Sequence, residues 1–327
     1  MTSVAVIGAG LSGLVVARRL RTLADVTVFE KSRGAGGRMA TRYAGDYEFD
    51  HGAQFFTART ERFRTFLKPL IDAGHVADWQ AGFAEFDGRE LKAVRSWDGH
   101  YPHYVGAPRM NRIGKVLSAD LKIAFETTIA SIAKENDGWT LTDSADARFG
   151  PFDWLVLTAP APQTATLARD FRGLVDYCGR RRMLGCFAMM LGFAEPLDLP
   201  WQAAIVRNAD ISWMSVNSSK PGRKSPFTLV VHSTNAWADA HMDDDSNEVL
   251  ERMLDQASMI TGKELQNADH RQLHRWRYAN SDKQPEPSRF IDEADGLAAC
   301  GDWCVRGRIE AAFNSADELA ATLAGKL

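Results

Sequence analysis

The sequence is short of the features that define several large classes of protein. It has 4 cysteines in 327 residues, too few for the disulfide framework of a secreted domain. No apolar run approaches the roughly 20 residues of a membrane helix, and the N-terminus lacks the pattern of a secretion signal. With 39 basic and 42 acidic residues, no basic patch indicates nucleic acid or a membrane surface. We therefore expect a cytoplasmic protein that binds neither.

The cysteines and histidines do not follow a metal-binding pattern. Cys300 and Cys304 are four positions apart, which is not the C-x-x-C spacing of paired ligands. His270 and His274 share that separation, but no third ligand of matching spacing accompanies them. We predict no metal site, and we expect all four cysteines to be small packing residues.

Apolar periodicity and turn residues divide the chain into short elements. Asp-Gly pairs at 87–88 and 98–99 predict hairpins in an aromatic-rich segment, and three aspartates at 243–245 are expected to cap a helix rather than bind calcium. The predicted helices cover 12–23, 60–73, 108–117, 246–261 and the C-terminus, and the predicted strands cover 3–7, 26–30, 122–125, 128–134, 139–142, 154–158, 183–194, 203–206, 211–216 and 227–232.

The first motif that carries chemistry joins the opening strand to its helix. In G-x-G-x-x-G, Gly8 and Gly10 permit a tight turn close to a pyrophosphate, and Gly13 lets the helix pack on the strand. The helix N-terminus supplies N–H groups and partial positive charge for phosphates. Glu30 ends the second strand, where a carboxylate can accept both ribose hydroxyls. This unit predicts a dinucleotide without distinguishing NAD from FAD.

Two further segments select FAD. In E-x5-G-G-R, Gly36 and Gly37 let a second loop lie close to the pyrophosphate, and Arg38 can pair with a phosphate oxygen. Cys300-Gly301-Asp302, with the stretch 307–312, forms a third segment near the C-terminus. E-x5-G-G-R resembles the second fingerprint of the flavin-containing amine oxidase superfamily.

Longer stretches resemble the bacterial renalase-like flavoproteins of that superfamily, and the resemblance covers nearly the whole chain. It is carried by residues 31–39, 50–59, 274–279 and 300–304. It implies an α/β fold with a Rossmann-like FAD-binding domain and an inserted mixed-sheet substrate domain, as in amine oxidases and p-hydroxybenzoate hydroxylase. We assign 1–75, 104–165 and 265–327 to the discontinuous FAD-binding domain, and 76–103 and 166–264 to the substrate domain.

Position by position, the resemblance implies a site for non-covalent FAD. Gly301 and Asp302 match the flavin turn, in which Asp302 bonds the ribityl chain or reaches the pyrophosphate. Ile309 and Glu310 open a helix whose N-terminus stabilises negative charge on the reduced flavin. The expected FAD-binding residues are Gly8, Ala9, Gly10, Leu11, Ser12, Gly13, Glu30, Lys31, Gly36, Gly37, Arg38, Met39, Gln54, Ile129, Ala159, Gly301, Asp302, Ile309 and Glu310.

Departures from the family pattern bear on the substrate. Ala311 adds a methyl group where a glycine lets the backbone approach the flavin. Amine oxidases proper have an aromatic residue at the position of Arg308 and a lysine in the strand that here covers 184–190. Both are absent, which counts against simple amines. The candidate pocket residues are Gln54, Phe55, His232, Trp276, Tyr278 and Arg308, with a core position for His232 and plain packing for Trp276 and Tyr278 as alternatives.

The resemblance implies an oxidase that converts the 2- and 6-dihydro isomers of NAD(P) to NAD(P)+, with hydride transfer to flavin N5 and reduction of O2 to H2O2. Rearomatisation drives such a transfer, so the protein mainly orients the ring and needs no acid–base dyad. Two alternatives remain: an FAD oxidase for an amine or a hydrophobic alcohol, and a dinucleotide-binding redox sensor without turnover. We expect a monomer or weak dimer that takes a small-molecule substrate and O2.

Overall fold

The computed structural model describes residues 1–97 and 100–327, so the hairpin turn predicted at 98–99 lies outside the described residues. The chain forms two compact units. Unit 1 comprises Met1–Arg38, Ile113–Met183 and Asn280–Leu327, and unit 2 comprises Met39–Arg112 and Leu184–Ala279.

Short strands and helices follow one another along the chain. The helices are α1 (Leu11–Leu20), α2 (Glu61–Asp72), α3 (Arg112–Ser118), α4 (Ala161–Leu167), α5 (Arg172–Gly179), α6 (Asn235–Ala240), α7 (Ser246–Thr261) and α8 (Ile309–Ala324). The strands are β1 (Ser3–Ile7), β2 (Asp25–Phe29), β3 (Thr41–Ala44), β4 (Tyr47–Asp50), β5 (Val76–Asp78), β6 (Gly82–Asp87), β7 (Glu90–Ser96), β8 (Tyr104–Gly106), β9 (Lys122–Ala124), β10 (Ile129–Glu135), β11 (Gly138–Asp143), β12 (Arg148–Phe152), β13 (Trp154–Leu157), β14 (Met183–Phe193), β15 (Ala203–Arg207), β16 (Ile211–Val216), β17 (Phe227–Ser233), β18 (His270–Ser281), β19 (Phe290–Asp292) and β20 (Leu297–Ala299).

Unit 1 is built on a six-stranded sheet in the order β19-β20-β13-β1-β2-β9. All of its neighbouring pairs are parallel except β19 with β20, as expected for short, continuously apolar strands. α1 follows β1 and packs against α8, and the Ser12 hydroxyl donates to the Ala312 carbonyl at 3.0 Å. The predicted α/β architecture is confirmed. No helix among the described residues combines the length and the apolarity that crossing a bilayer requires.

A three-stranded antiparallel sheet, β10-β11-β12, also belongs to unit 1. β10 and β11 were predicted, whereas β12 was missed because its sequence, Arg-Phe-Gly-Pro-Phe, contains the two residues least typical of strands. It lies at the edge of its sheet, where proline is tolerated.

Unit 2 is built on a seven-stranded sheet in the order β18-β14-β17-β16-β15-β6-β7. Side chains alternate between the faces of a strand, and one face buries Met189, Leu229 and Val231 in an apolar core together with residues of α7. By the same alternation His232 lies on the opposite face, where it pairs across strands with Trp213 of β16. That second face carries polar and aromatic side chains.

Two helix predictions had different outcomes. The helix predicted at 246–261 is α7, and Asp245 caps it, since its carboxylate accepts from the backbone N–H groups of Asn247 and Glu248 at 2.8 and 3.2 Å. The helix predicted from residue 108 begins only at Arg112. Met110 and Asn111 instead donate their backbone N–H groups to the side chains of Asp50 and Thr41, which holds the preceding chain outside the helix.

The boundaries of the two units differ from those of the predicted domains. Residues 39–75 belong to unit 2, because the segment around Asp50 and Gln54 bonds to Ser215, Asn217 and Lys220 of that unit. Residues 104–112 and 265–279 also belong to unit 2, and residues 166–183 belong to unit 1. Which unit binds cofactor and which binds substrate stays a prediction.

Candidate functional site

The two glycine-rich segments of unit 1 lie directly against each other. Gly10 and Gly36 form a parallel bridge, and the Gly36 N–H donates to the Ala9 carbonyl at 2.8 Å. Gly37 has φ +56°, and a Cβ there would lie 3.2 Å from the Gly10 Cα. A Cβ on Gly114 of α3 would lie 2.6 Å from the Gly36 Cα. Glycine is therefore required at positions 37 and 114, where the neighbouring backbone leaves no room for a side chain.

The N-terminus of α1 is left open beside this crossing. Gly10 is its N-cap, and no side chain caps the helix, so the first N–H groups have no intrahelical acceptor. A Cβ on Gly10 would meet nothing within 4 Å, whereas one on Gly13 would lie 1.9 Å from the Gly8 carbonyl oxygen. Gly13 thus serves the packing of α1 on the turn, and Gly10 leaves space in which a phosphate would fit.

This contrast predicts opposite phenotypes for two alanine substitutions. Gly13→Ala should lower the melting temperature of the apoprotein, because the methyl group collides with backbone. Gly10→Ala should melt like the parent, since its φ of −71° suits alanine, yet bind FAD at least about tenfold more weakly. Thermal denaturation of the apoproteins and flavin titration measure the two effects. A Gly10→Ala protein with parental FAD affinity would contradict this position for the phosphates.

Glu30 presents a buried carboxylate at the end of β2. Its Oε2 accepts from the Ala9 N–H at 2.7 Å, and its Oε1 accepts from the Ser32 N–H at 2.8 Å. Since a carboxylate offers about four acceptor positions, both oxygens retain capacity for the hydroxyls of a ribose. Lys31, the next residue, is exposed.

The third segment joins the second through an ion pair. The Arg38 guanidinium, predicted to pair with phosphate, pairs with the carboxylate of the buried Asp302. The Gly301 N–H donates to the Ser315 hydroxyl of α8 at 3.1 Å. α8 begins at Ile309, followed by Glu310, and its N-cap Arg308 provides no side-chain cap. This leaves a second helix N-terminus beside the Gly301-Asp302 turn.

Most other predicted cofactor residues lie in the same unit. Ala159 follows β13, and its nitrogen lies 3.7 Å from the Cβ position of Gly8. Ile129 begins β10, just after Thr127, whose N–H donates to the Glu30 carbonyl at 2.9 Å. Met39 and Gln54, by contrast, belong to unit 2.

The four cysteines are buried and unpaired, as predicted for packing residues. Burial raises the pKa of the Cys304 thiol to about 12 and the pKa of Cys300 well above its usual value. A neutral buried thiol is a poor nucleophile. This arrangement does not favour a covalent bond to a cofactor.

In unit 2 the candidate pocket residue Phe55 belongs to an aromatic cluster. Its ring centroid lies 4.7 Å from that of Trp97, 5.2 Å from that of His103 and 5.3 Å from that of Trp213. The indole N–H groups of Trp97 and Trp213 are buried and have no hydrogen-bond partner among the described residues. Because such groups are nearly always paired, they fit a ligand that offers acceptors.

A second group of rings surrounds His51. Trp276 stacks on it with centroids 5.2 Å apart and donates its indole N–H to the His51 carbonyl at 3.0 Å, while His274 packs edge-on at 4.7 Å. Burial, with the charges of His274 and Arg42, lowers the pKa of His51 to about 3. Burial and Arg42 lower the pKa of His274 to about 4. Tyr278 lies partly exposed further along β18.

Gln54 and His232, predicted as pocket residues, do come together. The Gln54 Nε2 lies 3.3 Å from the His232 Nε2. Burial first, and then the charge of Lys220, lower the pKa of His232 to about 4. All three of these imidazoles are therefore neutral at physiological pH.

The sequence did not predict a cluster of buried charged side chains next to Gln54. Asp50 pairs with Arg223, and Lys220 lies close by, its side chain fully buried. Asp50 lies in the stretch 50–59 that carries the family resemblance, but no role was predicted for its side chain. Lys220 stands in Ser-Ser-Lys-Pro-Gly, which is typical of a solvated turn, and nothing local signals that its side chain points inward.

Comparisons with known proteins bear on the family and the fold of the chain. The family model for flavin containing amine oxidoreductases matches residues 103–324, and that for an NAD(P)-binding Rossmann-like domain matches residues 6–70. Mouse (Mus musculus) renalase is 21% identical over 329 residues, with 92% of each chain covered. The structure of a putative protoporphyrinogen oxidase from Exiguobacterium sp. 255-15 has a TM-score of 0.80 at 12% identity, covering 100% of this chain and 99% of that one. Putrescine oxidase bound to putrescine has a TM-score of 0.72 at 12% identity, covering 99% of each chain.

Proposed function

The chain belongs to the flavin-containing amine oxidoreductase family, and from this premise we propose that it is an FAD-dependent oxidase of dihydronicotinamide dinucleotides. Its substrates are the 2- and 6-dihydro isomers of NAD(P), and its products are NAD(P)+ and H2O2. The similarity to mouse renalase over 92% of the chain supports this choice within the family.

FAD, rather than another flavin, is supported by the adenosine-side features of unit 1. A ribose would be held by Glu30, the pyrophosphate by the open N-terminus of α1 around Gly10, and the flavin end by the turn at Gly301-Asp302. The observation that supports this most strongly is the contact between the three segments: the Gly10–Gly36 bridge joins the first to the second, and the Arg38–Asp302 ion pair joins the second to the third. FMN, which lacks the adenosine, would leave Glu30 without a ligand.

The second unit supports a reaction without proton abstraction. When bound, FAD supplies a hydride acceptor at N5 and transfers the electrons to O2. The chain's own residues bind and orient the substrate: aromatic rings at Phe55 and Trp213 suit a planar ring, and the indole N–H groups of Trp97 and Trp213, which have no partner within the described part of the chain, suit its carbonyl or phosphate acceptors. The neutral, weakly basic histidines His51, His232 and His274 make poor general bases at pH 7.

Anaerobic reduction tests the proposed substrate. The purified yellow protein should bleach on addition of about one equivalent of a 2- or 6-dihydronicotinamide dinucleotide and regain its colour with O2, releasing about one H2O2. Putrescine and a hydrophobic alcohol serve as comparison donors. Bleaching by either of these, with dihydronicotinamides inert, would assign a different oxidase activity, and no bleaching by any donor would favour a redox sensor.

The cofactor is proposed to be non-covalent, and acid precipitation tests this directly. Because the thiols of Cys300 and Cys304 are buried and neutral, essentially all of the flavin should remain in the supernatant. Chromatography of that supernatant should show FAD and not FMN. Yellow colour retained in the washed pellet would contradict the non-covalent assignment.

A further inference from the structure

Lys220 is a buried cation that lies closer to amide oxygens than to its counterion Asp50. Its ammonium nitrogen lies 3.0 Å from the Asn217 Oδ1 and 3.1 Å from the Gln54 Oε1, whereas the nearest Asp50 oxygen is 3.7 Å away. Asp50 itself already pairs with Arg223. Lysine is rarely buried in this way, because desolvation of the ammonium is costly. Its placement against two amide oxygens indicates a role toward those amides.

The ammonium determines which way the Gln54 amide points. The protonated form of lysine has only donors, so the atom of Gln54 that faces it must be the oxygen. The Ser215 hydroxyl donates to the same oxygen at 2.8 Å. The NH2 end of Gln54 is therefore turned the other way, toward the backbone carbonyls of Asp50 and Gly52 and toward the His232 ring.

The amide orientation in turn determines the tautomer of His232. The two hydrogens of the Gln54 Nε2 are shared among the Asp50 carbonyl, the Gly52 carbonyl and the His232 Nε2, and the Gln54 Nε2 itself cannot accept. A proton on the His232 Nε2, 3.3 Å away, would have no acceptor there, so this is the unprotonated ring nitrogen. The proton of the neutral ring then lies on Nδ1. The groups that face the imidazole are the Gln54 amide, the backbone and ring of His51, and the charge of Lys220, and the His51 ring is neutral because its pKa is lowered to about 3.

We propose that Lys220 is a positioning residue that acts through Gln54 to hold His232 as a neutral imidazole protonated on Nδ1. On the second face of the unit 2 sheet, beside Trp213, the ring then has no free basic nitrogen, because Nε2 faces the Gln54 amide and the ring N–H bonds to the His51 backbone. That suits a substrate that loses a hydride without losing a proton. Only this last reading rests on the proposed function; the tautomer itself does not.

The orientation of the Gln54 amide, and with it the tautomer of His232, should not change when Lys220 itself loses its proton. Burial lowers the pKa of Lys220 to about 7, with Asp50 opposing and Arg223 reinforcing the shift. A neutral amine gains a lone pair but keeps two N–H groups for the oxygens of Gln54 and Asn217, and the Asp50 and Gly52 carbonyls still accept from the Gln54 NH2 group. The tautomer of His232 should therefore be the same at pH 6 and at pH 9.

Nitrogen NMR of the holoprotein with labelled histidine tests the proposal. Long-range proton–nitrogen correlation spectra distinguish the Nδ1–H and Nε2–H tautomers, and the resonance lost in His232→Gln provides the assignment. The parent protein should show only Nδ1–H from pH 6 to 9. An Nε2–H ring, or a charged ring near pH 7, would overturn the proposal without any Lys220 variant having to fold.

Variants then test the role of Lys220. Lys220→Gln, whose amide can donate or accept, should give a mixture of tautomers and raise the pKa of His232 by about one unit, whereas Lys220→Arg should keep the parental spectrum. Lys224→Gln, at an exposed position in the same loop, is the matched control and should change nothing. An unchanged His232 spectrum in a folded Lys220→Gln protein would show that Lys220 does not determine the tautomer of His232. Failure of the dihydronicotinamide assay would leave these spectra unaffected.

Discussion

Replacement of Glu30 by alanine is expected to weaken FAD binding by about one to three orders of magnitude. The buried carboxylate offers charged acceptors to two ribose hydroxyls, and loss of both bonds costs on the order of 2–4 kcal/mol. It also holds the Ala9 and Ser32 N–H groups, so the turn at the N-terminus of α1 loses an anchor as well. Titration of the apoprotein with FAD, followed by flavin fluorescence, measures the change.

Two further variants make this result specific. Glu135→Ala removes an exposed carboxylate of the same unit that pairs only at the surface with Arg148, and it should leave the affinity unchanged. Glu30→Gln keeps an acceptor but loses the charge, so its affinity should fall between those of the parent and the alanine variant. If Glu30→Ala binds FAD as tightly as the parent, the ribose does not lie at the end of β2.

Unit 1, which we propose binds the cofactor, could be predicted largely from sequence because its signals are local. Gly8, Gly10 and Gly13 lie within six residues, and each is explained by a contact or an open space in one turn. Glu30 follows at the end of the next strand. The prediction for Arg38 was incomplete, because its partner Asp302 is far away in sequence and pairing between two charged residues leaves no periodic pattern.

Unit 2, which we propose binds the substrate, was predicted less completely because its contacts are long-range. His232 was predicted as a candidate pocket residue, yet its partner Gln54 lies 178 positions away. Nothing near Lys220 indicates that it turns inward, since only the assembled cluster of Asp50 and Gln54 makes burial of its side chain tolerable. Strand β12 was missed for a related reason: its pairing with β11 outweighs the poor strand propensity of Gly150 and Pro151.

The rate of flavin reduction by a dihydronicotinamide is expected to change by less than about threefold between roughly pH 6 and 9. Hydride leaves carbon with its electron pair, and no proton has to be removed from the ring nitrogen, so no titrating base enters the transition state. The pKa values of about 3 for His51 and about 4 for His232 and His274 keep these rings neutral throughout. Lys220, with a pKa of about 7, titrates within the range but donates to the same two amide oxygens in either state.

An amine substrate would behave differently under the same conditions. It must lose its ammonium proton before oxidation, and with a pKa near 10 its reactive fraction rises about tenfold per pH unit, or roughly a thousandfold from pH 6 to 9. Anaerobic stopped-flow reduction over a pH series, with a dihydronicotinamide and putrescine side by side, compares the two slopes directly. Rapid reduction by the amine along that steep slope, with the dihydronicotinamide inert, would overturn the proposed activity. A flat profile is expected for the dihydronicotinamide, because His51, His232 and His274 stay neutral across this pH range and the hydride step removes no proton.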